Sequence, residues 1–142
     1  MDRNLEKQKR ERAVELGRSG DPAVLPELIE LVGFPAASVR KLAASAIGKL
    51  AGLADAAQAV SALVPLLRDP FPQIRQYTAK AIGAYGAGAY PALSDLRDMA
   101  VSPVEPQYPE GGIDVNGYAV LNAAFIILPK TKALDSKFLL GV

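Results

Sequence analysis

Val39-Arg40-Lys41-Leu42-Ala43-Ala44-Ser45-Ala46-Ile47-Gly48 recurs as Ile74-Arg75-Gln76-Tyr77-Thr78-Ala79-Lys80-Ala81-Ile82-Gly83. The two stretches lie 35 residues apart and are identical at five of ten positions. In the first, Val39, Leu42, Ala43, Ala46, Ile47 and Leu50 fall at i, i+3, i+4, i+7, i+8 and i+11; Ile74, Tyr77, Thr78, Ala81, Ile82 and Tyr85 do the same. That spacing predicts a helix with one apolar stripe. The stripe mixes large residues with alanine, so a neighbouring helix can come close. One such helix cannot bury its stripe alone. Stacked copies bury one another's, and a repeat of this length is the mark of an α-solenoid.

Upstream, Asn4 to Gly17 reads as a first helix with Leu5, Ala13, Val14 and Leu16 as its apolar positions, closed by Arg18-Ser19-Gly20. Asp21-Pro22 opens the next helix, since aspartate caps and proline is tolerated at the first helical position. Its stripe is Leu25, Leu28, Ile29 and Val32, and Gly33-Phe34-Pro35 is the turn into the Val39 helix. A second unit begins near Asp55 with Val60, Leu63, Val64 and Leu67 as its stripe. Val60 lies 35 residues after Leu25, so the period covers both helices of the unit. Asp69-Pro70-Phe71-Pro72 is the turn into the Ile74 helix, whose end Gly83, Gly86 and Gly88 are expected to loosen.

Tyr90-Pro91-Ala92-Leu93 starts a third unit by analogy with Leu25-Pro26-Glu27-Leu28. Pro103, Pro106, Pro109 and Gly111-Gly112 forbid a continuous helix between residues 101 and 114. Val115 to Leu128 is then the matching second helix, apolar nearly all round, and a short amphipathic helix is expected from Thr131 to Leu140 with Leu134 and Phe138 inward. The expected plan is one all-α domain over residues 1–142: a leading helix (1–20), repeats at 21–53, 54–88 and 89–129, the last with an insert at 101–114, and a tail at 130–142.

The composition narrows the function. The chain has 142 residues, 50% hydrophobic, 22% charged and 6% aromatic, with a formal net charge of +1. That balance makes no global case for nucleic acid or an acidic membrane. It has no Cys and no His, which excludes disulfides, the common catalytic triads and the usual zinc sites. No apolar run reaches the roughly 18 residues a membrane span needs. The charged start, Met1 to Arg12, is unlike a secretory signal, and a cytoplasmic location is expected. The trio Gly83, Gly86, Gly88 imitates a phosphate loop, but such a loop normally follows a strand. No cofactor is expected.

Paired helices at this period, with Leu63-Val64-Pro65-Leu66-Leu67-Arg68-Asp69-Pro70 leading to Gln73-Ile74-Arg75, resemble HEAT repeats of the PBS-lyase type. The resemblance runs well over residues 21–100. It implies a right-handed α-solenoid of stacked helix pairs, about three full repeats plus partial end helices. It also implies a ladder between neighbours made by the turn aspartate and the following arginine. Asp69, Arg75 and Arg40 match that ladder; Phe34 replaces the aspartate of the first unit, which leaves Arg40 to pair with Asp69 or with nothing, and Asn116 replaces the arginine of the third. In such solenoids the second helices line the concave face, which makes Lys41, Ser45, Lys49, Gln76 and Lys80 the binding candidates. Tyr108 and Glu110 are candidates on the insert.

The functional expectation is a non-catalytic protein- or peptide-binding scaffold. The alternatives are a nucleic-acid-binding accessory module using the same basic groove, or a HEAT-like enzyme such as a phycobilin lyase or an alkylpurine DNA glycosylase. For those enzymes, Tyr and carboxylates would have to replace the missing Trp and His. Self-association through the apolar C-terminal end is a further expectation.

Overall fold

The computed structural model describes residues 2–100. The insert candidates Tyr108 and Glu110, Asn116, the Val115–Leu128 helix and the tail lie outside the described residues. Within them the chain is all-helical, with no strand. Six α-helices follow in order: α1 (Arg3–Arg18), α2 (Leu25–Leu31), α3 (Ala37–Lys49), α4 (Ala56–Leu63), α5 (Pro72–Ala84) and α6 (Leu93–Ala100). Short 3-10 turns at Pro22–Val24, Val64–Arg68 and Gly86–Ala92 link them.

The prolines set the shape of the first helix in each pair. Pro26 has no N–H to give the carbonyl of Pro22, and its ring crowds that carbonyl. The chain therefore starts as a 3-10 turn, closed by the Leu25 N–H on the Pro22 carbonyl, and becomes α-helical only from Leu25. The single helix expected from Asp21 is thus split. Pro65 acts the same way on α4, which ends at Leu63 and continues as the 3-10 turn Val64–Arg68. Asp21 caps as expected, accepting from the Ala23 N–H, and Asp55 does the same for α4, accepting from the Gln58 N–H.

α3 lies between α1 and α5 and packs on both. α2 packs on α3, while α4 and the Val64–Arg68 turn pack on α5. α6 rests on the two later 3-10 turns. Leu28, Ile47, Leu50, Leu63, Ile74, Ile82 and Leu96 form the fully buried aliphatic centre, joined by Ala43, Ala46, Ala59 and Ala81. Burial of Leu28, Ala46, Ile47, Leu63, Ala81 and Ile82 agrees with the periodicity.

The stripe itself needs two corrections. Tyr77 is 37% exposed and Leu42 only half-buried, whereas Ala44 and Ala79, off the expected stripe, are fully buried. A helix with a neighbour on either side and another beneath it is buried over a wider arc than one amphipathic stripe. Alanine fills the flank where the neighbouring helix comes closest. The glycine trio is corrected too. Gly86 (φ 56°) opens an ordered 3-10 turn, and Gly88 lies so close to α4 that a Cβ there would come within 2.7 Å of the Ala56 Cβ. The glycines let this turn pack rather than loosening it.

Close approach also reveals what α1 is. A Cβ on Gly17 would lie 2.8 Å from the Ala46 Cβ, and one on Gly48 would lie 3.0 Å from the Cα and Cβ of Ala81. Leu16-Gly17, Ile47-Gly48 and Ile82-Gly83 are therefore the same position on successive helices. Each is followed within four residues by a glycine with positive φ: Gly20, Gly52 and Gly86. α1 is the counterpart of α3 and α5. Its offset from α3 is 31 residues rather than 35, which hid it from a fixed period. Where α3 has Val39, Ala43 and Ala46, α1 has Gln8, Arg12 and Glu15, all exposed. Only Ala13, Leu16 and Gly17 of α1 are buried, on the side facing α3. The side of α1 turned away from α3 is polar.

Candidate functional site

The turn between α4 and α5 carries the inter-helix ladder. Asp69 is buried and accepts the Phe71 N–H at 3.0 Å, which shapes the turn. Arg40 of α3 reaches across to it, Nε to Oδ2 at 2.8 Å and Nη2 to Oδ1 at 3.4 Å. The pair is well shielded, with side-chain exposures of 14% and 4%. Arg40 Nη1 also donates to the carbonyls of Phe34 and Pro35, at 3.0 and 2.7 Å. Arg75 Nη1 donates at 2.6 Å to the carbonyl of Asp69. Each arginine thus clips a carbonyl six residues upstream, in the turn before its own helix. With Phe34 in the corresponding place, Arg40 finds its carboxylate on the following turn.

Tyr85, at the end of α5, donates its hydroxyl to the Ile47 carbonyl at 2.7 Å. Burial pushes its pKa up to about 12. On the opposite edge, Arg12 of α1 makes two hydrogen bonds to Glu27, at 2.6 and 2.9 Å, and these hold the Glu27 carboxyl below its usual range.

Lys49, Gln76 and Lys80 are exposed, and Ser45 is half-buried. Together with Lys41 they lie on the face of α3 and α5 that, among the described residues, no second-layer helix covers. Lys41, the first of the binding candidates, is half-buried: its Nζ sits 5.5 Å from the centre of the Tyr77 ring and 3.4 Å from Gln73 Oε1. The tyrosine one repeat along shields it and attracts it through the ring face. Tyr77 is therefore a face residue that periodicity assigned to the core. Its signal was chemical, a phenol where a core would favour an aliphatic residue.

Two grooves open here. One, of about 420 Å³, runs between the first turns of α3 and α5 and is lined by Ala37, Ser38, Lys41, Phe71, Gln73 and Ile74, among others. Phe71 is 43% exposed on its wall. The other, of about 730 Å³, runs along α1, with Val14 and Leu42 as its apolar part and Lys7, Arg10, Glu11 and Arg18 around them. Neither groove was visible in the periodicity, because each is built from residues on adjacent helices. Among the described residues no group of three His, Cys, Asp or Glu could hold a metal, and no helix is long and apolar enough to cross a membrane.

No curated protein matches the chain significantly. Residues 37–85, which run from the start of α3 to the end of α5, match the family model of the HEAT-like repeat.

Proposed function

We propose that the chain is a non-catalytic scaffold that binds a protein or peptide along the open face of α3 and α5. In this reading the helices belong to a right-handed α-solenoid of about three helix pairs with partial end helices, and the open face is its concave side. HEAT-like repeats are generally protein-interaction scaffolds, and residues 37–85 match the model of such a repeat. The observation that carries the reading is the division of labour among the polar groups. The arginines of α3 and α5 point into the turns and hold the stack together. Among the described residues, the lysines, Ser45, Gln76 and Tyr77 are left on a surface with no side-chain hydrogen bond or ion pair beyond the Lys41 contacts.

The test is site-specific photocrosslinking in extract of the source cell. A benzophenone side chain at Gln76 should give discrete protein adducts, and the same group at Ala57, exposed on α4, should not. Equal labelling from both positions, or none from Gln76, overturns the reading. Binding to generic DNA with a steep salt dependence would move the assignment to nucleic acid.

A further inference from the structure

The reading of the open face as a binding surface can be taken one step further, to the chemistry of what it binds. α3 and α5 together contain Arg40, Lys41, Lys49, Arg75 and Lys80, and no Asp or Glu. There is no carboxylate in sequence between Glu30 and Asp55, or between Asp69 and Asp95. Arg40 and Arg75 are engaged by the turns. Among the described residues no carboxylate lies within 4 Å of the amino groups of Lys41, Lys49 or Lys80. The groove between the first turns of α3 and α5 has no carboxylate in its lining either, and Lys41 is the one charged residue among those lining it. Glu6 reaches its edge through Ser38 Oγ, at 2.7 Å, but is itself paired with Arg10 at 3.2 Å.

We infer that the partner is an acidic peptide segment carrying an apolar side chain. Resting on the binding-face reading above, the inference places that side chain in the groove against Phe71 and Ile74. The flanking carboxylates meet Lys41 and Lys80, and the peptide crosses Tyr77. Positive charge without counter-charge favours an acidic ligand. A concave apolar floor with an exposed aromatic wall gives one side chain a place to leave water. A nucleic acid fits less well. Only three lysines are available on the face, and its two exposed aromatics, Tyr77 and Phe71, do not make the aromatic series along a basic track that single-strand binding uses.

The experiment is selection of random peptides displayed on phage against the intact protein. Enriched sequences should carry Asp or Glu on both sides of a Leu, Met or aromatic residue. A synthetic copy of the best sequence should lose about tenfold or more in affinity for Lys41→Met/Lys80→Met, as removal of complementary charge predicts. Selection repeated on Lys41→Glu/Lys80→Glu should turn the preference to Lys and Arg. Enriched peptides without acidic bias, but lost in Tyr77→Arg, would overturn the acidic partner and leave the binding face standing. Enrichment unaffected by any of these variants, or no enrichment at all, overturns both. Displacement of the bound peptide by polythymidylate at micromolar concentration, with a steep salt slope, overturns the peptide in favour of nucleic acid.

Discussion

At the α1–α3 junction the carbonyl of Leu16 accepts a hydroxyl from Ser19, three residues on, at 2.7 Å. At the α3–α5 junction the corresponding carbonyl, on Ile47, accepts one from Tyr85, on the next helix, also at 2.7 Å. The same contrast runs through both junctions. Arg40 crosses from α3 to the buried Asp69; the matching positions one junction earlier hold Lys9 and Phe34, and neither partner of the ladder is present. Arg12, whose place in α3 is taken by Ala43, instead makes exposed pairs with Glu15 and Glu27. The backbone approach is shared, glycine against alanine at each junction. An interior junction can take its polar partners from the next repeat because both sides are held. Among the described residues α1 has no helix stacked beyond it, and its groups are satisfied locally or in water.

The sharpest way to break this comparison is Asp69→Ala. It strands Arg40 and the Phe71 N–H in a shielded site, and losing one member of a buried pair costs about 3–5 kcal/mol. Arg12→Ala, at the other junction, should leave the midpoint of urea unfolding unchanged, since exposed pairs are strongly screened. Equal midpoints for the two variants would mean the junctions do not differ in this way.

Truncation of the core is next. Ile82→Ala and Ile47→Ala should each cost about 2–5 kcal/mol, the range for buried aliphatic truncations. Leu16→Ala, at the equivalent position, should fall at the low end, because among the described residues no helix stacks on the side of α1 away from α3 and α1 can settle into the space. Equilibrium denaturation ranks the three, and a loss below about 0.5 kcal/mol at Ile82 contradicts its place in the centre of the stack.

Gly48→Val should cost about 1–3 kcal/mol by overpacking against the backbone of Ala81. Gly17→Val should cost less than Gly48→Val, because among the described residues nothing holds α1 on its outer side. Thermal midpoints of the pair would show whether the interior junction is the stiffer one.

The smallest effect is a titration. The Tyr85 hydroxyl has its pKa raised to about 12, against roughly 10 in the unfolded chain. The folded state holds that proton more tightly, so the contribution is fully present below pH about 10 and is lost as pH rises towards 12. Tyr85→Phe should cost about 1 kcal/mol at neutral pH, the usual worth of such a hydrogen bond. It should also have a shallower alkaline decline than the parent, measured by urea unfolding at stepped pH. The Leu16–Ser19 contact has no titrating counterpart.

Helix type and core were legible wherever the chain repeats itself. The 35-residue echo located α3 and α5, and its spacing found Ile47, Ile82, Leu28 and Leu63, because burial follows helical period. It misplaced Tyr77 and Ala79 because one stripe cannot describe a helix with neighbours on several sides. It did not connect α1 to the set because α1 lies 31 residues before α3, not 35. The lysines of the open face were legible as polar positions. Their lack of counter-charges, and the groove beside Phe71, were not, since both depend on which residues of different helices meet.

By itself the sequence determined that the described part of the chain is helical, that two of its helix pairs recur 35 residues apart, and that cysteine and histidine chemistry is excluded. Those follow from local spacing and composition, which need no partner. Only the tertiary structure decided that Arg40 takes its carboxylate from Asp69, that Tyr85 closes the end of α3, and that Lys41 lies over Tyr77. Each joins residues 29 to 38 positions apart. Such pairings depend on the rise and rotation from one helix to the next, and that geometry comes from how glycine and alanine let the backbones approach.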